Sequence, residues 1–158
     1  VVVGSLDTLG NATILTSSDG TTWTSRTSGT ADWLSGITYG NTTYVAVGQS
    51  GRILTSPDGI TWTEQISGTS KNLENVIFAN GSFLAVGYSG TILTSPDGIT
   101  WTARISGTLN NLNGVAYGNN IYVAVGYSGT ILTSPGGITW TESGAGISNY
   151  LSGVTFSR

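Results

Sequence analysis

Apolar positions along this chain come in short runs set between clusters of Gly, Asn, Asp and Ser. Tyr44-Val45-Ala46-Val47 and Tyr122-Val123-Ala124-Val125 are unbroken rather than alternating, as expected of strands covered on both faces. No stretch sustains a helical period. The runs also repeat. Ile-Leu-Thr-Ser begins at Ile14, Ile53, Ile92 and Ile131, and a Trp follows at Trp23, Trp62, Trp101 and Trp140. Leu34, Leu73, Leu112 and Leu151 keep the same step, as do Tyr39, Phe78, Tyr117 and Phe156. A fixed period of this size, filled with strand-forming residues, marks a repeat architecture.

Each unit reads as four short strands. In the unit opening at Leu34 they are Leu34 to Tyr39, Tyr44 to Val47, Arg52 to Ser56, and Thr61 to about Ile66. Gly40-Asn41, Gly48-Gln49-Ser50-Gly51 and Pro57-Asp58-Gly59 supply the turns, because Gly and Asn accept positive φ and Pro fixes φ. Such tight turns demand antiparallel pairing, which disfavours a β-solenoid. Four strands per unit match a propeller blade, so the expected fold is an all-β propeller of four four-stranded antiparallel blades in one domain, 1–158. The chain opens on Val1-Val2-Val3-Gly4, in phase with a second strand, and closes on Leu151 to Phe156, in phase with a first strand. Pairing of the two would give a first blade shared between 1–30 and 151–158 and would remove two sheet edges. The alternatives are an eight-bladed ring made by two chains and a piece of a longer propeller.

Composition narrows the function. Charged residues are 8% of the chain and the formal net charge is −3. The basic residues Arg26, Arg52, Lys71, Arg104 and Arg158 form no run, which argues against nucleic acid. Five Trp, seven Tyr and three Phe argue for a packed fold rather than disorder. Cys and His are both absent, so thiolate chemistry and the usual general base and metal ligand are missing. No apolar run approaches the ~20 residues that span a membrane. A surface of Gly, Ser, Thr and Asn with few charges suits an extracellular or cell-surface setting.

The segment Ser56-Pro57-Asp58-Gly59-Ile60-Thr61-Trp62 resembles the Asp-box of sialidases, sortilin-type receptors and photosystem assembly factors, with one residue fewer between Asp and Trp. Copies stand at Ser17 to Trp23, Ser95 to Trp101 and Ser134 to Trp140, the last with Gly136 in place of Asp. The resemblance implies a propeller with the box on the turn between third and fourth strands, away from the ligand face. It does not choose among hydrolase, receptor and assembly factor. Physically, Asp19, Asp58 and Asp97 are expected to accept backbone N–H groups of their own turns, and Trp23, Trp62, Trp101 and Trp140 to pack between blades. A lone carboxylate per turn suits Ca²⁺ poorly, since that ion takes six to eight oxygens. No metal and no cofactor is expected.

A sialidase-like reaction would need converging arginines and paired carboxylates. Arg26, Arg104, Glu64 and Glu142 fall on outer strands, and Glu74 near the inner strand has no carboxylate at the equivalent positions Ser35, Asn113 and Ser152. No catalytic residue is assigned, and the expectation is a non-enzyme. Variable positions instead gather on one rim. Asp32, Lys71, Asn110 and Asn149 are equivalent, as are Trp33, Asn72, Asn111 and Tyr150; Gln49, Tyr88 and Tyr127 share the turn between second and third strands. In the first unit that turn is enlarged, as Ser5 to Thr13. Aromatic faces beside amides and carboxylates suit a glycan or another surface ligand. A structural role in a fibre, adhesin or filament, with self-association, is the competing expectation.

Overall fold

A computed structural model describes every residue except Ala145 and Arg158. Arg158, one of the five cations counted above, therefore lies outside the described residues. The first sheet holds β1 (Val2–Leu6), β2 (Ala12–Thr16) and β3 (Thr24–Arg26). The second holds β4 (Leu34–Gly40), β5 (Thr43–Gly48), β6 (Ile53–Ser56) and β7 (Thr63–Gln65). The third holds β8 (Leu73–Ala79), β9 (Ser82–Gly87), β10 (Ile92–Ser95) and β11 (Thr102–Arg104). The fourth holds β12 (Leu112–Gly118), β13 (Ile121–Gly126), β14 (Ile131–Ser134) and β15 (Thr141–Glu142). Neighbouring strands are antiparallel and follow chain order, as in propeller blades.

The unbroken apolar runs now have their cause. Val45 and Val47 of β5 enter the layer between second and third sheets with Leu73, Val76 and Phe83. Ala46, between them, enters the preceding layer with Ile14, Leu34 and Leu54. Likewise Phe83 and Ala85 face one layer, while Leu84 and Val86 face the next, with Leu112, Tyr122 and Trp140. Side chains alternate across a strand, so a strand sandwiched between two sheets must be apolar at every position. An aromatic ladder repeats in each complete sheet: Tyr39–Tyr44–Trp62, Phe78–Phe83–Trp101 and Tyr117–Tyr122–Trp140, with first-pair centroids 4.6, 4.7 and 4.5 Å apart.

Three expectations need correction. The C-terminal segment does not complete the first blade: β1 pairs only with β2, and the first sheet has three strands. The segment docks on the fourth sheet instead. Leu151 N–H donates to Gly126 O at 3.0 Å, and Asn113 Nδ2 donates to Leu151 O at 3.0 Å. Phe156 lies over Gly118 as Phe78 lies over Gly40. The segment thus packs on the face of the fourth sheet and does not pair with the edge of β1. Second, Gly40 is not a turn residue. The left-handed pair is Asn41 and Thr42, at φ 47° and 61°, and Gly40 ends β4, where a Cβ would overlap the Phe78 ring. Third, the fourth strand is only Thr63–Gln65, because the Asp58-centred turn extends through Thr61.

Candidate functional site

The turn that resembles an Asp-box is a closed hydrogen-bond unit. Asp58 Oδ1 accepts Ile60 N–H at 2.8 Å and Thr61 N–H at 2.9 Å, and Ser56 Oγ donates to it at 3.0 Å. Ser56 Oγ in turn accepts Gly59 N–H at 2.8 Å. Asp97 repeats this with Thr100 and Ile99, and Asp19 with Thr22 and Thr21. These backbone donors hold all three carboxyls below the ordinary aspartate range. Trp62, Trp101 and Trp140 each donate Nε1–H to the glycine carbonyl of their own turn, at 3.1, 2.8 and 3.2 Å. Their indoles close the layer against the preceding sheet: Trp62 packs with Ile14 and Leu34, Trp101 with Val45 and Phe83, Trp140 with Leu84 and Tyr122. Trp23 departs from the expectation and stays 44% exposed, because no sheet precedes the first one. One oxygen of each carboxylate is committed to the backbone of its own turn, and no group of three or more His, Cys, Asp or Glu that could hold a metal occurs among the described residues.

The rim positions do come together. Gln49, Tyr88 and Tyr127 each open a short 3₁₀ turn, Gln49–Gly51, Tyr88–Gly90 and Tyr127–Gly129. Their N–H groups donate to Trp33 O, Asn72 O and Asn111 O, each at 2.9 Å. The two variable sets therefore share one face beside the inner strands β4, β8 and β12. Asn149 and Tyr150 follow the same course after the fourth sheet, where Gly129 N–H donates to Asn149 O at 2.7 Å.

Most polar members of the rim are occupied by the fold. Asn72 Oδ1 accepts Ser50 N–H at 3.1 Å, and Asn111 Oδ1 accepts Ser89 N–H at 2.9 Å, so each ties one sheet to the next. Asn110 Nδ2 donates to Thr130 Oγ1 at 2.8 Å. Gln49 Oε1 accepts Trp33 N–H at 3.4 Å. Asp32 accepts from Arg52 Nε at 3.0 Å and from Ser50 Oγ at 3.1 Å, and the Arg52 hydrogen bonds hold its carboxyl below the ordinary range. Arg52 also pairs with Glu64. The aromatic members remain open: Trp33, Tyr88, Tyr127 and Tyr150 are exposed, and Tyr127 meets Tyr150 edge-on at 4.7 Å. Lys71 and Asn149 are exposed as well.

Arg26 and Arg104 lie on the outer strands, where their Nε atoms each donate to a Thr hydroxyl, Thr16 and Thr94, at 2.8 Å. A surface groove of about 520 Å³ runs between Thr69, Thr91, Arg104 and Leu109, walled largely by small side chains.

Neither a known family profile nor a curated protein matches the chain. Solved structures do. YCF48 bound to D1 peptide superposes with a TM-score of 0.71 at 22% identity, over 96% of this chain and 51% of that one. YCF48 from Cyanidioschyzon merolae gives 0.69 at 21%, over 98% and 54%. The WD40 β-propeller domain of Doa1 gives 0.65 at 14%, over 94% and 52%. The chain thus spans about half the length of these three structures. At identities this low the likeness concerns backbone architecture, and together with the four stacked antiparallel sheets it establishes the fold: the chain is a β-propeller repeat protein.

Proposed function

We propose that this chain is a non-catalytic binding module that takes an extended protein segment on the rim carrying Trp33, Tyr88, Tyr127 and Tyr150. One observation carries the reading: the aromatic residues on that rim are exposed while Asn72, Asn110 and Asn111 beside them are each tied into the fold. Flat aromatic surface beside backbone suits a peptide, whose own amides need few side-chain partners. One structural neighbour was solved with a bound peptide, which fits this choice. A glycan is the second reading, because Trp33 and Tyr150 could stack on sugar faces with Lys71 and Asn149 free for hydroxyls. The outer placement of Arg26 and Arg104 favours binding over sialidase-type catalysis. We take the Ser-Pro-Asp-Gly turns to be shortened Asp-boxes with a structural role, and place the protein outside the cell on its low charge.

Self-association belongs to the same proposal. The β1 edge carries no inner strand, and the segment from Leu151 to Phe156 lies on the fourth sheet with its own edge free to pair. A second copy could exchange these elements and close a larger ring.

Panels of extended peptides and of glycans, screened in parallel against the wild type and Trp33→Ala/Tyr127→Ala, test the reading. Peptide retention that the double variant loses supports it. Retention unchanged by the double variant removes the rim, and glycan-only retention replaces the first reading by the second.

A further inference from the structure

Glu74 is a carboxylate without an ion-pair partner among the described residues. In each complete sheet the inner strand bulges once: Leu73 pairs with Gly87 and Asn75 with Val86, leaving Glu74 as the extra residue. A bulge re-aims the side chain it carries. Asn113 holds the same place in the fourth sheet, between the pairs Leu112–Gly126 and Gly114–Val125, and its amide reaches forward to Leu151 O at 3.0 Å. A carboxylate has no proton to donate to such a carbonyl. Glu74 is accordingly half-buried, and neither of the ion pairs among the described residues includes it. Lys71, three residues earlier, does not reach it. Burial raises its pKa above the ordinary 4.5.

The backbone brings tyrosines to the same rim as this carboxylate. Tyr88 follows directly on Gly87, the partner of Leu73. The Glu74 charge is the first cause of the raised Tyr88 pKa, followed by burial and by Tyr127 and Tyr150. Asn111 Oδ1 accepts Ser89 N–H next to Tyr88, Tyr127 N–H donates to Asn111 O just ahead of β12, and Tyr127 carries Tyr150 edge-on. Three exposed tyrosines thus share one rim with a half-buried carboxylate. Ring faces are electron-rich and attract cations, more strongly once water is displaced.

We propose that Glu74, Tyr88, Tyr127 and Tyr150 form a receptor for a basic side chain, a lysine ammonium or arginine guanidinium, on the protein segment bound at the rim. The inference rests on the peptide-binding reading above and adds the residue class that the segment must present. Glu74 supplies the counter-charge, and the tyrosines supply the faces on which the alkyl stem and the cationic head lie. The net charge of −3 favours approach of a basic partner.

The test uses acetyl-Gly-Arg-Gly-amide and its Lys and Gln counterparts, titrated into the full chain with ring-labelled tyrosine and followed by NMR. The Arg and Lys peptides should shift Tyr88, Tyr127 and Tyr150 saturably, and the Gln peptide should not. Glu74→Gln should weaken the basic peptides on the order of tenfold, the scale of one charge-assisted contact. Glu142→Gln, on the outer strand β15, should leave them unchanged. Equal binding of the Gln peptide, an unaltered Glu74→Gln variant, or no saturable shift with the basic peptides overturns the inference. A neutral peptide that still binds the rim would overturn it while leaving the peptide-binding reading in place.

Discussion

At the scale of the residue, Asp58 and Asp97 are hubs. Each gathers two backbone N–H groups and a serine hydroxyl on one carboxylate oxygen. Their folded pKa values are depressed, so their contribution is complete above the ordinary value of 3.8 and is lost as pH falls through the depressed folded values. The melting temperature of Asp58→Ala/Asp97→Ala should lie below wild type at neutral pH, and the gap should close in strong acid; thermal denaturation across pH measures it. The fourth sheet supplies a reverse experiment. Gly136 stands where the other units have Asp, Ser134 Oγ already accepts Gly137 N–H, and a Cβ on Gly136 would meet nothing within 4 Å. Gly136→Asp should stabilise the protein by about 0.5–1 kcal/mol through reduced unfolded-state entropy alone, with the recovered N–H contacts adding to it. These roles were legible in advance, because Asx turns are local. The duties of Asn72 and Asn111 were not. Their partners Ser50 and Ser89 are a unit away in sequence and are brought close only by stacking of sheets.

At the scale of the element, close approach between a strand end and the segment leading to the inner strand sets the identity of one glycine per sheet. A Cβ on Gly48, Gly87 or Gly126 would overlap the backbone carbonyl of Trp33, Asn72 or Asn111. Backbone cannot yield as a side chain can, so Gly87→Ala should cost about 2–3 kcal/mol, the upper range for overpacking. Chemical denaturation would show it as a lowered midpoint at unchanged slope. Gly4 occupies the same place in the first sheet, yet its Cβ would come no nearer than 4.0 Å to anything, because no inner strand lies beside β1. Gly4→Ala should be close to neutral in an isolated chain. The repeat itself disclosed that these glycines are equivalent, but not that one of them is free.

At the scale of the whole molecule, the open β1 edge makes the same substitution a probe of assembly. If another copy seats an inner strand on β1, the carbonyl before that strand should meet the new Cβ as Trp33 O would meet one at Gly48. Light scattering above and below micromolar concentration should then show wild-type dimers and Gly4→Ala monomers of 16.2 kDa. Equal masses for the two would mean that β1 is not the interface. Outcomes at this scale turn on edges and curvature, which depend on angles between sheets that no single unit specifies.

The sequence by itself determined the all-β class, the four units, the strand order within each, and the turn chemistry at Asp19, Asp58 and Asp97. All of these follow from local rules: alternation across a strand, backbone freedom at turns, and short-range hydrogen bonds. Tertiary structure decided the rest. It placed the C-terminal segment on the fourth sheet rather than beside β1, and left Trp23 exposed for want of a preceding sheet. It also engaged the side-chain oxygens of Asn72 and Asn111, left the rim aromatics exposed, and set Glu74 on a bulge of the inner strand. The physical reason is that packing between sheets joins residues about a full unit apart, and a repeat pattern reports that such partners are equivalent without reporting which of them meet.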